Sequence, residues 1–167
     1  QIGQMNALIS EWMPYYAHSI YQEGGSDMST VEFFVTPGYG ERKLEKFHYS
    51  QAVKVGNRVE ISGQGGWNND GEFPDSVEKE IMQAFENVER TLATAGASWK
   101  DVVHVNSYHV PTATDFIGEE HLSTMTDQFR KRMGARAPIW TCIGVPSLGD
   151  PKMRVEIRVT AIIEDDA

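Results

Sequence analysis

Four side chains with chemical capability crowd two short runs near the end of the sequence: Trp140 and Cys142 on the first, Glu156 and Arg158 on the second. In the first run Ile139, Thr141, Ile143 and Val145 share one parity; in the second Val155, Ile157, Val159 and Ala161 do. Side chains alternate across a strand, so each run has an apolar face and a mixed one. The apolar faces should pack on helices, leaving Trp140, Cys142, Glu156 and Arg158 on the mixed ones. A carboxylate there can hold a water or take a proton. Arg158, two residues along and roughly 7 Å away, either forks onto a ligand carboxylate or pairs with Glu156. Trp140 is either interface packing or a ring on which a ligand stacks. Cys142 is either a nucleophile or a structural thiol.

Other chemical signals are thinner. Gly63-Gln64-Gly65-Gly66 opens a glycine-rich loop, but it lacks the spacing and the lysine of a phosphate-binding loop. It reads as backbone freedom or a close approach to the chain. His104 and His109 have no carboxylate at metal-ligand spacing, so no metal site is expected.

The elements that must position these residues follow from periodicity. Val31 to Thr36 is β-branched and aromatic, hence a strand, and Pro37, Gly38 and Gly40 turn the chain. Ser50 to Val55 and Arg58 to Gly63 are strands joined by a Gly56-Asn57 hairpin turn. Asp75 to Ala95 carries Val77, Ile81, Phe85, Val88, Leu92 and Ala95 at helical spacing, with Asp75 as N-cap and Gly96 as stop. Asp101 to Val110 is a strand. A second helix runs from near Phe116 to about Met133, with Leu122, Met125, Phe129 and Met133 as its buried stripe and Gly134 after it. The order β-β-β-α-β-α-β-β predicts an α+β domain, a mixed sheet with two helices on one face. The other face, carrying Trp140 and Tyr108, needs a partner, which implies a homo-oligomer.

Composition bounds the partners. The chain has 167 residues, a net charge of −9, 40% hydrophobic residues and one cysteine. The acidic balance argues against a nucleic-acid surface. A single cysteine excludes an internal disulfide and fits a reducing compartment. No run approaches the roughly 20 apolar residues of a membrane span. With no Lys or Arg before Arg42, a leader is not expected and a cytoplasmic location is. Residues 1–27 differ in character: Tyr15, Tyr16, His18 and Tyr21 precede Gly24-Gly25-Ser26. They read as an N-terminal extension, or as an aromatic arm on a neighbouring subunit, before a domain over 28–167.

Several segments together resemble one family. TyrSerGlnAlaVal (49–53), IleSerGlyGln (61–64), AsnValGluArgThrLeuAlaThrAlaGly (87–96) and ValGluIleArgValThrAlaIle (155–162) are similar to the YjgF/Rid family, the reactive-intermediate deaminases. The resemblance spans roughly residues 30 to 163. It implies a chorismate-mutase-like α+β fold and a homotrimer with clefts between subunits. It also implies cofactor-free hydrolysis of enamines and imines to 2-oxo acids and ammonia. On this resemblance Tyr49 matches the cleft tyrosine and Ser62 and Gly63 the cleft-lining Ser-Gly. Cys142 matches a cysteine whose backbone holds substrate or water, and Glu156 the acid that positions the attacking water. Trp140 departs from the pattern: deaminating members carry there an arginine that grips the substrate carboxylate. An indole offers one neutral donor where a guanidinium offers a fork. Arg136 sits too far back to replace it, and Arg158 is better placed. The expected substrate is therefore a small imine or enamine less dependent on a carboxylate than 2-iminobutanoate. The alternative is a non-catalytic ligand-binding or stress-protective trimer.

Overall fold

The computed structural model describes residues 30–111 and 117–164. The expectations for residues 1–27 lie outside these. Six strands form one sheet: β1 (Val31–Phe34), β2 (Ala52–Val55), β3 (Arg58–Ile61), β4 (Val102–His109), β5 (Ile139–Gly144) and β6 (Val155–Ile162). Their spatial order is β1-β2-β3-β6-β4-β5. Neighbours are antiparallel except β4 and β5, which are parallel. A parallel pair needs a crossover, and the chain between β4 and β5 contains α3 (Glu119–Met133). The sheet is mixed and the class α+β, in accord with expectation.

Three α-helices are present among the described residues rather than two. α2 (Val77–Thr94) and α3 lie where the apolar stripes predict them. Its N-cap is Ser76, not Asp75: Ser76 Oγ accepts the Lys79 N–H at 3.2 Å. Leu122, expected in the stripe of α3, is exposed. The unforeseen helix is α1 (Tyr39–Phe47), YGERKLEKF. It buries only Tyr39 and Gly40, so it has no apolar stripe to read. Tyr39 anchors it: the phenol donates to Gln64 Oε1 at 2.7 Å, and the ring meets Trp67 edge-on at 5.7 Å. Gly40 is needed there, because a Cβ would overlap the Gln51 side chain.

The register assigns the faces. Val105 opposes Val159 on β6 and Trp140 on β5; Ser107 opposes Ile157 and Cys142. Paired residues share a face. Val155, Ile157 and Val159 are fully buried in the core with Ile81, Phe85, Val88 and Phe129 of the helices. Trp140 and Cys142 therefore face the helices. This reverses the expectation that they share a face with Glu156 and Arg158. The parity of β5 was read correctly and its face was not: Ile139 (67% exposed) and Ile143 (41%) are the residues left outside. An edge strand at the sheet's rim is packed less fully than β6, so hydrophobicity alone misassigns its faces. The open face carries Phe33, Glu60, Asn106, Tyr108, Glu156 and Arg158 by the same register.

Glu80, fully buried on α2, ties the helix layer to β6. Its carboxylate accepts from Arg154 Nε at 2.6 Å, from the Arg154 backbone N–H at 2.7 Å and from the Val155 N–H at 3.3 Å. Glu80→Ala would remove the counter-ion of Arg154, leaving that guanidinium only the Pro74 and Asp75 carbonyls, and would unpair two backbone donors. The loss should reach about 3–5 kcal/mol, the usual effect of removing one partner of a buried pair. Urea denaturation checks it; a loss below about 1 kcal/mol would contradict the anchoring role.

Candidate functional site

β6 is central in the sheet, and Glu156 leaves it one residue after the Glu80 clasp. Opposite, the chain leaving β3 is pinned on both sides of Gly63. The Ser62 N–H donates to Gln51 O at 2.7 Å, and Gln64 and Ile157 exchange two backbone bonds of 2.9 Å. Gly63 lies directly against the Glu156 side chain, so a Cβ there would overlap the carboxylate. The glycine run thus contains the close approach that its composition suggested, made by the chain's own carboxylate.

Burial pushes the Glu156 carboxyl above the ordinary carboxylate range, and Lys43 partly offsets this. Burial first, then the Glu156 charge, raises the Tyr49 phenol. Tyr49 and Ser62 line one groove of about 1230 Å³, between α1 and the β1–β3 end of the sheet, with Phe33, Gln51 and Glu60. Tyr49, Ser62, Gly63 and Glu156 are therefore brought to one locality. A half-buried carboxyl with a raised pKa can hold a water and take its proton near neutral pH.

Arg158 faces the same side but bonds Glu60 Oε2 at 3.1 Å, not Glu156. Glu60 also takes Arg58 Nε at 2.7 Å and the Thr160 hydroxyl at 2.7 Å. Arg158 is thus engaged in a surface cluster. Trp140 and Cys142 lie beyond β4 and on the opposite face, so within one chain they do not join Glu156. Trp140 packs edge-on against Phe129 at 5.2 Å. Burial raises the Cys142 thiol, which disfavours its thiolate.

The Trp140 environment contains a polar chain that the sequence did not disclose. The indole N–H donates to Ser107 Oγ at 2.8 Å. Ser107 Oγ is 2.8 Å from His109 Nε2, and His109 Nδ1 is 2.8 Å from His121 Nδ1. An indole only donates, which frees the Ser107 hydroxyl proton for His109 Nε2. His109 then carries its proton on Nδ1 and gives it to His121 Nδ1. One proton serves the two facing nitrogens, so both rings are neutral. Burial and then His121 lower the His109 pKa from 6.5 to about 4. Burial also lowers that of His121, where Glu120 and Glu80 favour the charged form and Arg154 opposes it. Nothing in the spacing of residues 107, 109 and 121 marks this contact, because α3 supplies its last member. Among the described residues no cluster of three or more His, Cys, Asp or Glu could hold a metal ion. No helix among them is long and apolar enough to cross a membrane.

Fold and site define a class: an α+β domain whose mixed sheet carries a carboxyl against a glycine, next in sequence to the groove-lining Ser62. The comparisons then place the chain. Residues 42–163 match the family described as Endoribonuclease L-PSP, and the protein belongs to that family, whose relatives also carry the RutC, YjgF and RidA names. It is 31% identical over 127 residues to the RutC family protein YjgH of Escherichia coli, covering 75% of this chain and 92% of that one. It is 34% identical over 119 residues to the 2-iminobutanoate/2-iminopropanoate deaminase of Dermatophagoides farinae, covering 70% and 86%. Among solved structures, protein YJGH superposes with a TM-score of 0.66 at 27% identity, covering 80% of this chain and 96% of that one. RidA from Psychrobacter gives 0.59 at 32% identity, covering 69% and 88%.

Two outcomes follow from this geometry. Because folding holds His109 neutral, its stabilising contribution is complete above the unfolded value near 6.5 and is lost as pH falls toward 4. At about 1.4 kcal/mol per unit this amounts to roughly 3 kcal/mol. The difference in urea stability between wild type and His109→Gln should shrink over that interval; a constant difference would refute the neutral pair. Gly63→Ala should displace the Glu156 carboxylate while keeping the fold, as comparison of the two crystal structures would show.

Proposed function

We propose that this protein is a cofactor-free hydrolase of small reactive imines or enamines, with Glu156 holding and deprotonating the attacking water. The observation that carries the reading is the seating of the half-buried Glu156 carboxyl against Gly63, beside Tyr49 and Ser62. Water adds to the carbon of the protonated imine as one of its protons passes to Glu156, giving a neutral carbinolamine; the C–N bond then breaks as the C=O bond forms, ammonia leaves, and the hydroxyl proton is released to solvent. Glu156 takes the proton in the first step and returns it to nitrogen in the second. Tyr49 and Ser62 bound the substrate. Similarity to a protein named for 2-iminobutanoate and 2-iminopropanoate deamination supports the reaction class.

The working assembly in this proposal is a homotrimer. Glu156 and Cys142 occupy opposite faces of one sheet, so they share a cleft only when different copies supply them. The exposed Val31, Phe33, Val55, Ile139 and Ile143 offer apolar surface for that contact. In the cleft the backbone at Cys142 orients substrate or water. Its thiol is not the nucleophile, given its raised pKa. Trp140 supplies no guanidinium, and its N–H is committed to Ser107, so the preferred substrate is not 2-iminobutanoate held from position 140. Its commitment to Ser107 also favours a second reading, a trimer that binds small molecules without turning them over. The ligand is a small molecule rather than RNA, consistent with the net charge of −9.

Glu156→Gln should lower the rate on freshly generated imines by roughly 100-fold or more, the span of a general base. The acidic limb of the wild-type pH profile should lie above the ordinary carboxylate range and vanish in the variant. Equal hydrolysis by both proteins would remove Glu156 from the mechanism. Saturable binding without product in the wild type would establish the second reading.

A further inference from the structure

Lys43, on α1, is a half-buried ammonium without a counter-ion among the described residues. Its Nζ sits 3.6 Å from the centroid of the Trp67 ring. Among the described residues no carboxylate lies within ion-pair distance of it, whereas Arg58, Arg132, Arg154 and Arg158 all have one. Holding a cation over an indole replaces only part of its hydration. The ring is fixed, edge-on to Tyr39 at 5.7 Å and to Phe73 at 6.3 Å, with Met153 in the same cluster. Tyr39 and Lys43 are one turn apart on α1, so the anchor of that helix also sets the base of the lysine. The Trp67 indole N–H is itself buried and has no acceptor among the described residues. An unmet buried donor is costly.

The position of this pair gives it meaning. Glu156 abuts Gly63 at one end of the Gly63–Gly66 run, and Trp67 follows the other end, its ring lying where a Gly65 Cβ would go. Burial pushes the Lys43 ammonium below the ordinary lysine range, while Glu156 and Asp150 favour its charge and Lys46 opposes it. Lys43 and Glu156 each favour the other's charged form, and no ion pair joins them. Arg42, the neighbour of Lys43 in sequence, lines the groove beside Tyr49 and Ser62 but is exposed and solvated.

We propose that Lys43 is the anion-holding, specificity-determining residue of the site, and that its ligand is a small molecule bearing a carboxylate. This rests on the hydrolase reading for the identity of the site, not for the binding itself. It replaces the sequence-based expectation of a ligand less dependent on its carboxylate. The carboxylate meets the Lys43 ammonium above Trp67, and the rest of the molecule extends toward Glu156. An acidic chain attracts no anion by its overall field, so a dedicated cation is needed.

The test titrates the full-length protein with 2-oxobutanoate and with its neutral methyl ester, followed by tryptophan fluorescence and by calorimetry. Wild type should bind the acid at least tenfold more tightly than the ester, and added salt should erode that preference. Lys43→Met should abolish the preference, Lys43→Arg should retain most of it, and Arg42→Met should leave it unchanged. Equal affinity for acid and ester, an acid preference that survives in Lys43→Met, or no binding of either probe would overturn the proposal. A preference lost in Arg42→Met instead would transfer the role to that residue and refute Lys43. Glu156→Gln separates the two levels: if it abolishes imine hydrolysis while the Lys43 preference persists, both stand. If hydrolysis is unaffected but the preference persists, only the hydrolase assignment falls.

Discussion

A single carboxylate with no access to water holds the structure's working end together. Glu80 gathers the guanidinium of Arg154 and two successive backbone N–H groups at the first turn of α2. Such an arrangement satisfies every polar group it buries, which is the condition for an internal charge to be tolerated. Gly66 is part of the same constraint, since a Cβ there would run into the Glu80 backbone. The helix layer, the glycine run and the start of β6 are thereby fixed at one point. From there the next side chain outward is Glu156. That carboxyl is held precisely because it is borne by a central strand and not by a loop.

At the other margin of the sheet a different kind of order prevails. Trp140, Ser107, His109 and His121 form a chain of donors and acceptors whose direction is dictated by the indole, which can only give. Both faces of the sheet thus contain polar groups, but with opposite electrical character. On the helix side this chain is neutral, each member bonded to the next. The open side holds Glu60, Arg58, Arg158 and Glu156, of which only Glu156 lacks an ion-pair partner among the described residues.

Much of this was legible from residue patterns. The stripes of α2 and α3, the hairpin at Gly56-Asn57 and the alternation in β5 and β6 are direct readings of period, and the hydrophobic core follows them. The grouping of Tyr49, Ser62, Gly63 and Glu156 was accessible through family resemblance, since residues so far apart in sequence leave no local trace of their meeting. What escaped detection has physical causes. α1 lacks an apolar stripe because it is held by one buried tyrosine. β5 was assigned to the wrong face because an edge strand can leave two isoleucines exposed. Lys43 carried no motif at all; its isolation is a property of three-dimensional surroundings.

The strand order carries one further consequence, for how the molecule breathes. β6 is bonded on both sides, to β3 and β4, whereas β5 hangs on β4 alone through the sheet's one parallel pairing. Amides of β6 can exchange with solvent only through near-global opening, while β5 can detach by a smaller excursion. Glu156 is therefore carried by the slowest-exchanging part of the sheet and Cys142 by a fringe that loosens first. In a multi-copy assembly that fringe is the part whose ordering would depend on its neighbour.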